Sequence, residues 1–359
     1  MTGTSLSTVP MHTHHASPVH DPPAAIRATG IIVVLTVVLA ILAIAFALPA
    51  ARSKPHAIPV GAAGPQAASG QVADILERHA PGAFALTYYP GEAALRDAIR
   101  NRDVYGGISF GPGADVAGQA APGGRTLLIA TGGSPMVAQM LTQIGNGIAQ
   151  RAGGAAGPAT SGTVALRIED LAPPTADDPR GAGLAASALP ITLAAVLPAI
   201  ALVLLLKREV WTRFAAAVVF AAVAGTTIAA LLRYVFGSID QNVWGVAAGV
   251  TLGLLAAGLS MLGLGSLFGR AGLAVGALLA LLLGNPLSGL NSAPEMLPSG
   301  WGTLGQWLPQ GATATLLRST AFFDGAGATT AIVVLTCWAV AGATLIVIAA
   351  VRQGSSVPA

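Results

Sequence analysis

The sequence predicts an α-helical polytopic membrane protein of six transmembrane helices, with a small α/β extracytoplasmic domain between spans one and two. Three observations lead there. Of 359 residues, 53% are hydrophobic and only 9% charged, against about 25% charged in soluble domains. The apolar residues gather into runs that match a hydrocarbon core of roughly 30 Å. Residues 52–182 break this pattern with alternating helix and strand signals of their own.

Residues 1–28 form a polar leader, expected to be disordered and cytoplasmic. Its "MHTHHASPVH" holds four histidines, but no carboxylate or cysteine completes a defined site, so no metal is predicted. The first span, residues 29–51, has its apolar run at Gly30–Ala51. That run is too long for a signal-peptide core and reads as a retained anchor. The remaining spans are expected at Leu184–Leu206, Phe214–Phe236, Val243–Phe268, Ala271–Leu283 with some extension, and Thr329–Val351. Together they make a five-span membrane domain over 183–352, followed by a short cytoplasmic tail at 353–359.

Short loops carry the orientation signal, because positive charges near span ends stay inside. An N-in, C-in plasma-membrane topology places Arg27, Lys207, Arg208, Arg213, Arg270 and Arg352 on the cytoplasmic side. Arg52, Lys54, Arg180, Arg233 and Arg318 oppose it, so the balance favours N-in. The long loop carries ten basic and ten acidic residues, leaving the net +3 to the membrane part and its flanks. Nothing here suits nucleic acid; the basic flanks suit membrane lipid.

Within 52–182, helices are predicted over "GQVADILERHA", "GEAALRDAIRN" and "SPMVAQMLTQIGNGIAQRA", and strands over "GAFALTYY", "DVYGGISF", "TLLIAT" and "TVALRIEDL". Residues 52–69 and 152–162 read as linkers rich in Gly, Pro and Ala. The domain's carboxylates, Asp115 among them, are mostly interspersed with arginines as on a solvated face. His79 has no nucleophile at a motif position, and "GGRTLLIATGG" lacks the strand, turn and helix order and the lysine of a phosphate loop. No catalytic residue and no cofactor is expected. Cys337 is the single cysteine and reads as a small core residue.

Glycines at 245, 249 and 253, at 265 and 269, and at 272 and 276 predict close helix approaches. Pro190 and Pro198 loosen the second span. Arg233 is an intramembrane charge expected to snorkel outward toward Asp240. Residues 284–319 interrupt the apolar pattern. Asn285 and Pro286 end the fifth span early, Pro294 and Pro298 act as stops, and Trp301 and Trp307 are interface anchors ahead of a short helix running to Leu317 and Arg318. The segment reads as an external re-entrant hairpin.

The pattern Pro294, Leu297, Pro298, Trp301, Leu304, Leu308, Pro309, Leu317 and Arg318 before the last span resembles the hairpin of ABC type-2 exporter permeases. The large external domain, with "ALRDAIRNRDVYGGISF", "LLIATGGSPMVAQMLTQIGNGI" and "IEDLAPPTADDPRG", is similar to the phage-infection-protein branch of that superfamily. The resemblance implies a homodimer, or a heterodimer with a related permease, that exports a hydrophobic or envelope compound using a separate ATPase subunit. The chain departs from the family in two places: its leader is broken by prolines, and the loop between the second and third spans is only "KREVWTR". Lys207, Arg208, Trp211 and Arg213 are therefore the candidate coupling loop. The other function class is a membrane-anchored surface protein whose external domain binds a secretion, cell-wall or phage partner.

Overall fold

A computed structural model describes residues 23–110, 125–155, 166–290 and 292–354. The histidine-rich leader, Asp115 and most of the predicted 152–162 linker lie outside these residues. The chain divides into two units, Met1–Ile44 and Ala45–Ala359. Helix α1, Ala24–Ala51, carries exposed Ile32, Leu35 and Leu39 along its apolar run.

The segment after α1 folds into a five-stranded sheet of order β2-β1-β3-β4-β5. Its elements are β1 (Ile58–Ala63), α2 (Gln66–His79), β2 (Phe84–Tyr89), α3 (Glu92–Arg100), β3 (Gly106–Phe110), β4 (Arg125–Ile129), α4 (Pro135–Ala155) and β5 (Leu166–Asp170). All pairings are parallel except β3 with β4. The expected linker at 52–69 is corrected here, because it contains the strand lying between β2 and β3. "IPVGAA" hides its nature: with a proline and a glycine among small residues it has none of the β-branched or aromatic density that marks a strand. Burial discloses it, since Ile58, Val60 and Ala62 are at most 2% exposed.

Alternate residues of β1 serve opposite faces of the sheet. Ile58, Val60 and Ala62 join Val72 and Leu76 of α2 and Val137 and Leu141 of α4, while Ala63 joins Leu95 and Ile99 of α3. A side chain on Gly61 would strike Leu95, and one on Gly107 would strike the carbonyl of Gly61, so glycine is what lets β1 and β3 meet at the sheet centre. Arg96 binds Glu92 at 2.6 Å and both carboxylate oxygens of Glu169 at 2.6 and 2.7 Å, tying α3 to β5.

The remaining chain is helical: α5 (Ala182–Ala186), α6 (Ala188–Leu205, with Pro198 inside), α7 (Val210–Tyr234) and α8 (Val243–Leu278), then a π-helical turn at Leu279–Gly284. A 3-10 turn follows at Pro294–Met296, then α9 (Trp301–Trp307), α10 (Pro309–Phe322) and α11 (Thr329–Gly354). Asp178 fastens the entry to this region. Its carboxylate accepts from the Ala182 and Gly183 amides at 2.8 and 2.9 Å and from Ser238 Oγ at 2.7 Å. Burial pushes that carboxyl upward, but the three donors outweigh it and hold it below the usual carboxylate range.

Among the described residues, five helices are long and apolar enough to cross a membrane. The fourth joins two stretches that the sequence separates: Val243–Gly284 runs for 42 residues, which as one straight helix would reach about 63 Å. It is not straight. Gly269 adopts φ 62° and ψ −137°, a conformation open to a residue without Cβ. A Cβ on Gly276 would lie 2.5 Å from Met261 Sδ, one on Gly272 would strike the Leu264 carbonyl, and one on Gly265 would sit 2.5 Å from Leu273. Residues 261 and 276 on a straight helix would stand about 22 Å apart. The chain therefore reverses at Gly269 into a tight antiparallel hairpin.

The first arm of α8 is the hub of the bundle. Gly249 and Gly253 admit Leu316 and Thr313 of α10, and Gly225 of α7 admits Thr251. Cys337 corrects the core reading of the sequence, because it is exposed on α11.

Candidate functional site

The 284–319 segment is more folded than one short helix. Pro294 opens the 3-10 turn instead of merely stopping a helix. Pro309 opens α10, where its missing N–H costs nothing. Between α9 and α10, Leu308 is extended, with φ −88° and ψ 150°. Glycines allow the backbone to knot: a Cβ on Gly302 would strike the Pro294 carbonyl, one on Gly305 that of Leu287, and one on Gly311 that of Gly305. Pro298 accepts from the Trp301 amide at 2.9 Å. Trp301 and Trp307 are 38% and 63% exposed, and Trp307 accepts at its carbonyl from the Trp338 indole of α11 at 2.8 Å.

The segment leans on the α/β domain. Ala293 and Met296 enter the core beside β1 and α2. The strap before β1 runs alongside: the amides of Lys54 and His56 donate to Met296 and Glu295 carbonyls, each at 3.0 Å. At this junction lies a cavity of about 540 Å³, with His56, Arg102, Tyr105, Glu295, Gln306 and Arg318 among its polar lining. Leu297, Trp307 and Val334 contribute apolar wall.

Two guanidinium groups face one carboxylate in this cavity. Arg318, 6% exposed, donates to the Gly289 and Leu290 carbonyls at 2.7 and 2.5 Å. Burial pushes it down to about 10, which still leaves it charged at neutral pH. Arg102 follows α3, donates through one nitrogen to the Thr315 carbonyl at 3.1 Å and to Ser319 Oγ, and lies over the Phe323 ring at 5.4 Å. Burial lowers its pKa as well. Glu295 is taken up by Tyr105, whose hydroxyl donates to it at 2.8 Å. Burial first, and the Glu295 charge second, push that phenol far above its ordinary value. Among the described residues no carboxylate oxygen lies within 4.0 Å of Arg102 or Arg318.

Of the residues singled out in the sequence, Pro294, Pro298, Trp307 and Arg318 line the cavity. The coupling-loop group is divided. Lys207, Arg208 and Trp211 are exposed at the turn from α6 to α7, but Arg213 is 2% exposed, and among the described residues its Nε and Nη2 have no hydrogen-bond partner. Arg213 is thus corrected from docking surface to bundle interior. Arg233 reaches Asp240 at 2.8 Å and the Ile239 carbonyl at 3.0 Å. Arg102, Tyr105 and Glu295 escaped sequence reasoning. Arg102 looks like any arginine of an ion-paired helix end, and nothing local brings residues 102 and 295 together. No protein-family model, curated protein or solved structure matches this chain.

Proposed function

We propose that the chain is a permease-like membrane subunit with six crossings, N- and C-termini cytoplasmic, that exports a hydrophobic or envelope compound using energy from a separate ATPase. The observation that carries this reading is continuity. α10, which lines the junction cavity through Thr315 and Arg318, packs directly on α8, so a movement of the membrane helices would change that cavity. The reversal at Gly269 supports six crossings, because it turns one 42-residue helix into two antiparallel arms. Burial of Arg318 supports the orientation by withdrawing one opposing charge from the membrane surface. The homodimer or related-permease heterodimer rests on the family resemblance, and a subunit count on the purified protein tests it.

Cysteines at Gln241 and Thr212, both exposed, test the orientation once Cys337 is replaced by serine. On intact cells an impermeant maleimide is expected to label Gln241→Cys and not Thr212→Cys. The reverse pattern would sink the N-in topology.

The coupling surface reduces to Lys207, Arg208 and Trp211. Trp211→Ala combined with Glu209→Lys keeps the basic flank while altering this exposed face. The double variant is expected to insert normally yet lose co-purified ATPase and at least about tenfold of export, the effect of removing one well-packed interface aromatic. Unchanged association and export would remove this turn as the contact. Absence of any ATPase with the wild type would favour the surface-binding reading instead.

A further inference from the structure

We propose that the junction cavity is a binding site for an anionic headgroup, phosphate or carboxylate, gripped by Arg102. Three independent features converge on it. The first is charge. Arg102 and Arg318 both line the cavity with no carboxylate oxygen within 4.0 Å of either among the described residues, while the one carboxylate present, Glu295, takes the Tyr105 hydroxyl and attracts both guanidinium groups only from farther away. Buried charges are ordinarily paired, so the cavity is short of one negative group.

The second is donor geometry. Arg318 spends Nη1 and Nη2 on backbone carbonyls, whereas Arg102 uses only Nη1, and its Nε and Nη2 meet no acceptor among the described residues. A guanidinium edge left open in this way matches two oxygens of a phosphate or carboxylate. Thr303, Thr330 and Ser299 place hydroxyl-bearing side chains around the same space.

The third is backbone. Asn101 caps α3, and the next residue, Arg102, takes φ 65°. Glycine is the usual occupant of a left-handed position just past a helix end, and an L-residue with a bulky side chain is strained there. An arginine at such a position is strained, which fits a role for its side chain. The tie from Arg102 to α10 through Ser319 is a competing reason for it, so the test separates the two.

The cavity is large for a bare phosphate and falls within the roughly 300–1,000 Å³ of small-molecule sites. Leu297, Trp307 and Val334 give the remaining space an apolar side suited to acyl chain. The headgroup chemistry is shared by free phosphate and by acidic lipid, and the two sources are told apart below.

The full chain is purified into phosphatidylcholine nanodiscs, with or without phosphatidic acid, and its thermal unfolding midpoint is followed. Phosphatidic acid is expected to raise the midpoint, with an apparent affinity about 10- to 100-fold weaker in Arg102→Gly and intermediate in Arg102→Lys, which keeps charge without the fork. Glycine suits φ 65°, so Arg102→Gly is expected to remain folded in phosphatidylcholine alone. Ser319→Ala removes the side-chain half of the tie to α10, leaving the Thr315 carbonyl, and spares the open guanidinium edge, so it is expected to respond to phosphatidic acid as the wild type does. Competition by inorganic phosphate would show that the headgroup suffices; binding of phosphatidic acid without such competition would assign the site to lipid. An equal midpoint with and without phosphatidic acid, a wild-type response in Arg102→Gly, or a loss in Ser319→Ala as large as in Arg102→Gly would each overturn the proposal. No ATPase enters the assay, so failure here leaves the export reading standing, and failure of export leaves this site standing.

Discussion

Gly342→Leu is expected to prevent the bundle from assembling, with most of the protein lost from the folded, monodisperse fraction after mild detergent extraction. At position 342 a Cβ would strike the Leu259 carbonyl carbon and the Ser260 nitrogen of α8. Across the same contact, a Cβ on Gly263 would lie 2.7 Å from the Gly342 oxygen. Ser260 Oγ donates to the Trp338 carbonyl at 3.1 Å beside this crossing. The two helices therefore meet backbone to backbone. In lipid no hydrophobic drive pushes helices together, so packing of this kind holds them. Separating α8 and α11 to admit a leucine costs about 3 kcal/mol or more, at the upper end of overpacking, from a total stability of about 5–15 kcal/mol. Gly342→Ala is expected to show the same fault in milder form. Unchanged yield and melting of Gly342→Leu would refute this account of the crossing.

The second large effect concerns β1. A soluble fragment of residues 70–171, the boundaries that composition suggests, is expected to lack cooperative unfolding, whereas one of residues 52–173 is expected to unfold cooperatively. The shorter piece discards the strand that pairs with both β2 and β3. Burying Ile58 and Val60 contributes about 1.5–3 kcal/mol each. Their loss, together with two severed strand pairings, is comparable with the whole stability of a domain this size. The longer fragment still exposes the patch that Ala293 and Met296 cover, so it is expected to melt below the same domain in the intact chain. Urea unfolding followed by circular dichroism, with amide dispersion by NMR, distinguishes the two. Equal cooperativity in both fragments would contradict the central role of β1.

Much of the architecture is written locally. The apolar runs of α1, α6, α7 and α11 are long and carry few charges. The periodicities of α2, α3 and α4 and the strands β2, β3, β4 and β5 show in their own residues, as helical spacing or as β-branched and aromatic content. β1 was illegible for the opposite reason: its small residues are strand only because β2 and β3 flank them. Among the glycines, 249 and 253 were visible as a repeat, while Gly263 and Gly342, at the tightest crossing of α8 with α11, belong to no repeat that marks them as partners.

The same division holds for the site. By itself the sequence determined that the chain is a membrane protein, that 284–319 departs from its apolar surroundings, and that Arg318 and the tryptophans there matter, since composition alone measures the cost of placing such residues near lipid. Only the tertiary structure decided that Arg213 is interior, that the 42-residue helix reverses at Gly269, and that Arg102 and Arg318 share one cavity with Tyr105 and Glu295. Local sequence encodes a preference for water or lipid; which charges meet depends on contacts such as Tyr105 with Glu295, 190 residues apart, and these form only when the domain and the hairpin pack together.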